Sequence, residues 1–352
     1  MNERMIKRSS AIDILKTISC AAVVFIHSAS TPMDTLPVLS LKWFSSTVWG
    51  CLVRFAVPVF LMCSGALLYD PSREIPIKKI YTKYFLRTLA ALFVWALVYD
   101  WFMTLGAAAL GGGFDPNEIW RAVVRVLKFR HHFHLYYLQI LLVFYACLPI
   151  IRVYVKNADR KTRLYVLAVW FLLGVCLPFF KQFYPLNQVY GIPAQYALPQ
   201  TWAAMGYGLL GWEMREAGFK RDKLPLFIAM YFLGFAVVFG GTVLFSARIG
   251  SLDQRFLEGL SPGVMLMAAG LFGSVSAAAK NESQLAARLV EPTFCIYIVH
   301  HFFIMILRTL GFPPAGMPYV FSIPLLVIGT VLCSLVVWKI LSRIPIVKDW
   351  LI

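Results

Sequence analysis

The chain contains six histidines, and their placement is its strongest chemical signal. His27 stands alone near the end of the apolar run IDILKTISCAAVVFIHS. The others form two groups: His131, His132 and His134 lead into LYYLQILLVFYACLP, and His300 with His301 sits in FCIYIVHHFF. An imidazole titrates near neutrality, so it can take a proton from a hydroxyl and return it to a leaving group. A satisfied core histidine is the bland alternative for His27. Clustered histidines also suit metals, but no carboxylate or cysteine accompanies these at ligand spacing, so no metal site is expected.

Cations occupy similar surroundings. Lys16 precedes His27 by eleven residues, about three helical turns and roughly 16 Å along one helix face. Lys16 either snorkels and pairs with Asp13 or faces a ligand. Arg54 opens RFAVPVFLMCSG and is placed at about the depth of His27. It either snorkels or grips an anion or a developing oxyanion. Pro58 and Gly65 in the same segment shape the helix. His134 enters its apolar run at a similar depth. Lys78, Lys79, Lys83 and Arg87 gather before and within another run, either obeying the positive-inside rule or forming a phosphate-binding mouth for coenzyme A. Trp120, Tyr136 and Tyr137 read as interfacial aromatics or as a sugar platform.

Such residues need elements to hold them, and composition says what those are. With 60% hydrophobic and only 14% charged residues, the chain is too apolar for a soluble domain. Buried ionisable groups cost roughly 2.5 to 3.5 kcal/mol on insertion scales, so each inside a span is a functional candidate. Apolar spans are readable at 11–31, 43–68, 84–105, 133–151, 164–180, 190–212, 224–245, 259–279, 292–310 and 319–341. The expected fold is therefore all-α, a single polytopic domain over 1–352 with about ten transmembrane helices. Pro193 and Pro199 make the sixth span kink or start late.

The net charge of +16 is concentrated in short loops. Alternating them by their Lys and Arg content puts the N- and C-termini in the cytoplasm. One outer segment, 118–130, breaks the pattern: Arg121, Arg125 and Lys128 form a stripe on an amphipathic helix. That stripe is expected to bind lipid headgroups or to offer a platform to an anionic acceptor. The seven cysteines, Cys20, Cys51, Cys63, Cys147, Cys176, Cys295 and Cys333, lack paired spacing and read as small core residues. Arg4, Lys7 and Arg8 before an apolar run resemble a signal peptide. Cleavage after it would discard Lys16 and His27, so an uncleaved first span is expected. No internal repeat is visible, which argues against many secondary transporters.

Together the motifs resemble a family. IDILKTISCAAVVFIHS resembles the opening helix of the acyltransferase-3 family, marked by a basic residue, ten others and then histidine, with Lys16 where arginine is commoner. VPVFLMCSG, HLYYLQILLVFYACLP and CIYIVHH resemble its second, fourth and penultimate motifs in order. Asp13, Ser64, Tyr297 and His300 fall on motif positions, and the family's third-helix arginine pair is here Lys83 with Arg87. The chain is most like the stand-alone enterobacterial common antigen O-acetyltransferase type.

The resemblance implies a multi-pass inner-membrane enzyme with no permanently bound cofactor. It would move an acyl group, acetyl in that type, from cytosolic acyl-CoA to a hydroxyl of a cell-surface or lipid-linked glycan on the outer side. It assigns His27, Arg54 and His134 to catalysis and Lys16, Lys83 and Arg87 to the donor. Membrane lipids are further partners, and nucleic acid is not expected. A transporter or flippase for a glycan or other anionic substrate is the competing reading.

Overall fold

The computed structural model describes residues 9–113, 115–279 and 283–352. Arg4, Lys7 and Arg8 lie outside the described residues. Among those described, every regular element is helical. The principal helices are α1 (Ser10–Thr35), α2 (Leu41–Leu52), α3 (Ala56–Leu68), α4 (Ile77–Ala107), α5 (Asn117–Leu127), α6 (Tyr136–Asn157) and α7 (Arg160–Phe180). They are followed by α8 (Gln200–Ala217), α9 (Leu224–Ile249), α10 (Pro262–Ala278), α11 (Gln284–Val290), α12 (Thr293–Thr309), α13 (Tyr319–Leu341) and α14 (Pro345–Trp350). Eight helices are long and apolar enough to cross a membrane, or nine when α11 and α12, bent by 47°, count as one broken span. The chain is an all-α polytopic membrane protein.

The remaining expected span, 190–212, becomes the short helix Gly191–Tyr196 followed by the 18-residue α8. At 1.5 Å per residue α8 is about 27 Å long, close to the thickness of the hydrocarbon layer. Its last turns carry Glu213 and Arg215, so it is less apolar than the other spans. Both charges are matched: Glu213 pairs with Arg163 at the start of α7, and Arg215 lies 3.7 Å from Asp70. Pairing of this kind is what makes ionised groups tolerable near a membrane interior.

Small residues let the helices approach. A Cβ on Gly65 of α3 would fall 2.0 Å from the carbonyl oxygen of Gly208 in α8, and one on Gly211 would fall 2.2 Å from that of Met62. Without a hydrophobic drive between helices in lipid, such backbone contact is the main source of association. Gly65→Ala is therefore expected to cost about 1–3 kcal/mol through overpacking against backbone that cannot yield. Thermal unfolding in detergent micelles would show it as a lowered midpoint.

Prolines open the helices at chosen points. A proline lacks an N–H, so the carbonyl four residues earlier loses its helical donor. Pro32 frees Ser28 O, which accepts from Arg308 at 2.7 Å, and Pro324 frees Val320 O, which accepts from the Trp49 indole at 3.2 Å. Pro58 frees the carbonyl of Arg54 in the same way. There the second span is interrupted, with residues 53–55 forming a turn between α2 and α3. Arg54 thus lies at a break inside the span rather than at its start, because Pro58 cannot complete the ladder across it.

The stripe on α5 is corrected. Arg121 binds Asp115 at 3.1 Å and Glu118 at 2.5 Å, while Arg125 binds Asp100 of α4 at 2.7 Å and Glu118 at 2.9 Å. Hydrogen bonds from Arg121 and Arg125 hold the Glu118 carboxyl below its ordinary pKa. Arg125 clamps α5 to α4, while Arg121 pairs only with carboxylates of its own helix and its approach. Two of the three cations of the stripe are thus matched by carboxylates, and Lys128 is not among them. Trp120 on this helix is 68% exposed, as an interfacial aromatic would be.

Candidate active site

α1 is the axis of the site. Cavities open against it near both ends. Near its start, a cavity of about 320 Å³ is lined by Lys16, Ser64, Lys83, Arg87, Tyr137 and Tyr297, among others. It holds three cations and no carboxylate. Lys83 lies in the π-helical stretch Ile80–Phe85 near the start of α4, a wider turn of the sort that often re-aims side chains at functional sites. Arg87 follows it, donates to the carbonyls of Ile352 and Lys348, and lies 5.8 Å from the Phe294 ring. The C-terminal segment, including α14, thus fixes the direction of this guanidinium. Asp13 is on the same end of α1, where its backbone carbonyl accepts from the Thr17 hydroxyl.

Two turns or so further along α1 lies a larger cavity of about 730 Å³, whose wall includes His27, Arg54, His134, Tyr136, His301 and Asp34. Tyr137 and Tyr297 line this cavity too, so both belong to the wall between it and the cationic one. Their rings meet edge to face with centroids 5.5 Å apart. Tyr137, read from sequence as an interfacial aromatic or part of a sugar platform, is only 7% exposed. Helix packing buried it, and only a tertiary structure shows that it stands between two chambers.

The histidine groups converge. The His27 ring lies 5.2 Å from that of His300, 5.7 Å from that of His301 and 6.2 Å from that of His134. The His132 and His134 Nδ1 atoms are 2.7 Å apart. Behind them Tyr99 stacks on Phe302 at 3.7 Å and donates its hydroxyl to Ile298 O at 2.7 Å. The Tyr297 hydroxyl donates to His134 O at 2.6 Å, tying α12 to the entry of α6. His300 is fully buried with Nδ1 2.6 Å from Tyr297 O, a bond that only a protonated Nδ1 can make, which leaves Nε2 as an acceptor without a protein partner. Among the described residues no group of three or more histidine, cysteine or acidic side chains has metal-binding geometry.

Neither ring nitrogen of His27 has a protein hydrogen-bond partner among the described residues. Both remain available to a ligand in the cavity. Arg54 is equally uncommitted: its Nε donates to Gly50 O at 3.2 Å and no carboxylate pairs with it among the described residues. The site can therefore accept a proton at His27 and offer positive charge to a developing anion at Arg54. His301 and Tyr99 are residues the sequence did not single out for the site. A chain-internal signal existed only for His301, as the second member of the His300 pair. All seven cysteines are free and none lies in this wall. Ser64, its hydroxyl bound to Phe60 O at 2.9 Å, faces the cationic cavity instead.

The site is thus a pair of chambers along one helix of an all-helical membrane bundle, the second of them walled in part by imidazoles. A family model described as an acyltransferase domain matches residues 9–339, and the chain belongs to this acyltransferase family. No curated protein and no solved structure matches it.

Proposed function

We propose that this membrane acyltransferase moves an acetyl group from cytosolic acetyl-CoA to a hydroxyl of a cell-surface or lipid-linked glycan on the outer side of the inner membrane. The observation that carries this reading is the pair of cavities on α1: one with Lys16, Lys83 and Arg87, the other with His27, Arg54 and His134. Three cations in a cavity whose lining includes no acidic side chain suit a nucleotide phosphate end. The donor's arm then extends along α1, about 16 Å from Lys16 to His27, with Tyr137 and Tyr297 as the wall that must part to admit it. With the basic loops in the cytoplasm, both termini are cytoplasmic and the His27 cavity faces outward. No resident cofactor is needed, since the acyl-CoA is a co-substrate. The stand-alone enterobacterial common antigen O-acetyltransferase type is the pattern this organisation suits.

In the reaction, the acceptor hydroxyl attacks the thioester carbonyl while His27 takes its proton. The C–O bond forms, the C–S bond breaks, and His27 returns the proton to the departing thiolate, so protons balance without any external acid. Arg54 stabilises the tetrahedral oxyanion, and His134 with Tyr297 and His300 holds the histidine wall in place. A variant route places the acyl group briefly on His27 before the hydroxyl attacks.

Radiolabelled acetyl-CoA supplied to the cytoplasmic face of membrane vesicles tests the reading. Label on lipid-linked sugar supports it, whereas movement of glycan without label supports a flippase. The donor cavity makes a separate prediction. Arg87→Ala is expected to raise the KM for acetyl-CoA about tenfold, the loss of one charge-assisted phosphate contact, with a smaller effect on kcat. Steady-state kinetics of purified enzyme would measure it.

A further inference from the structure

A third cavity, of about 370 Å³, lies beside the far end of α1 and is lined by Ser28, Thr31, Lys42, Arg308, Tyr319 and Ser322 on its polar side. Its apolar side includes Phe312, Met317 and Leu326. Arg308 donates to Thr31 Oγ1 at 2.6 Å and to the Ser28 carbonyl freed by Pro32 at 2.7 Å. A guanidinium has five N–H donors, so most of its capacity is unspent. No acidic side chain lines the cavity, and among the described residues neither Arg308 nor Lys42 has an ion-pair partner. The Ser28 hydroxyl in the same wall is completely buried and has no hydrogen-bond partner. Two unmatched cations, an orphan hydroxyl and an adjoining apolar wall describe a receptor for a phosphate ester carried on a lipid.

We propose that this cavity binds the phosphate or diphosphate of a lipid-linked acceptor, an inference that rests on the glycan-transfer reading above. Thr31 connects the two sites, because it lines both this cavity and the one containing His27. It is four residues, one helical turn, beyond His27. A molecule seated by its phosphate on Arg308 and Lys42 therefore projects its first sugars past Thr31 toward the imidazole. A bilayer phospholipid would satisfy the same cations but has nothing to place beside His27. With Arg121 and Arg125 of α5 paired to carboxylates, Arg308 and Lys42 are cations without an ion-pair partner among the described residues that lie beside the acceptor chamber.

The test uses the full-length purified enzyme with Lys42→Glu, a side chain that makes no hydrogen bond in the fold and is exposed. Arg308→Lys, which keeps charge but loses the fork, is the second variant, since larger changes at Arg308 would also release α1. Two acceptors are compared, a synthetic polyprenyl-diphosphate sugar and the same sugar without the diphosphate. The preference for the diphosphate form, read as a ratio of kcat/KM values, is expected to fall about tenfold in each variant. An unchanged ratio overturns the proposal while leaving acyl transfer intact. Native mass spectrometry of wild type and Lys42→Glu with the polyprenyl diphosphate decides the site independently, even if no sugar accepts an acetyl group. Loss of the adduct in the variant supports it. Equal retention, or displacement by phosphatidylglycerol at the same concentration, assigns the cavity to bulk lipid and overturns it.

Discussion

Replacing His27 with alanine is expected to lower acyl transfer by about 10²- to 10⁴-fold, the range over which a positioned general base acts. The imidazole borders the acceptor-side cavity and spends neither ring nitrogen on the protein. His300 is the nearest ring at 5.2 Å, but its Nδ1 is held by Tyr297 O and it does not line the cavity. The KM for acetyl-CoA should change little, because the donor's phosphates would sit with Lys16, Lys83 and Arg87 near the other end of α1. Size-exclusion behaviour and the unfolding midpoint should match wild type, since His27 makes no side-chain hydrogen bond to lose. Full activity in folded His27→Ala protein would exclude this imidazole from the chemistry.

The second large effect is expected at Arg54. Arg54→Ala should reduce kcat by about 10²- to 10³-fold, the cost of removing one preorganised donor to an oxyanion. Arg54→Lys should recover only part of it, because an ammonium keeps the charge but lacks the planar fork. The comparison is diagnostic. A snorkelling arginine would lose little in either variant, whereas a residue acting on the transition state lowers kcat and kcat/KM together. The break between α2 and α3 makes the distinction sharp, because it holds Arg54 inside the span, where no carboxylate pairs with it among the described residues.

Much of this was legible in the residues. Ten apolar runs, the eleven-residue spacing of Lys16 and His27, and the Arg54 segment follow from period and composition, since a bilayer leaves few ways to satisfy a backbone and penalises every misplaced charge. The family follows from motif order along nearly the whole chain. The α5 stripe shows where that reasoning fails. Arg121, Arg125 and Lys128 have the spacing of an exposed basic face, but Asp100, distant in sequence, is what Arg125 meets.

Tyr137 fails in the opposite direction. Its local setting is that of an interfacial aromatic, and its position between two cavities depends on where Phe60 and Tyr297 come to rest. Likewise, the convergence of His27, His132, His134, His300 and His301 is set by the packing of α1, α12 and the entry of α6. Sequence by itself determined which groups are too costly to bury without a purpose, because that cost is local and one-dimensional. Tertiary structure decided which of those charges find partners and which face empty space, because pairing is a relation between helices that no single periodicity encodes.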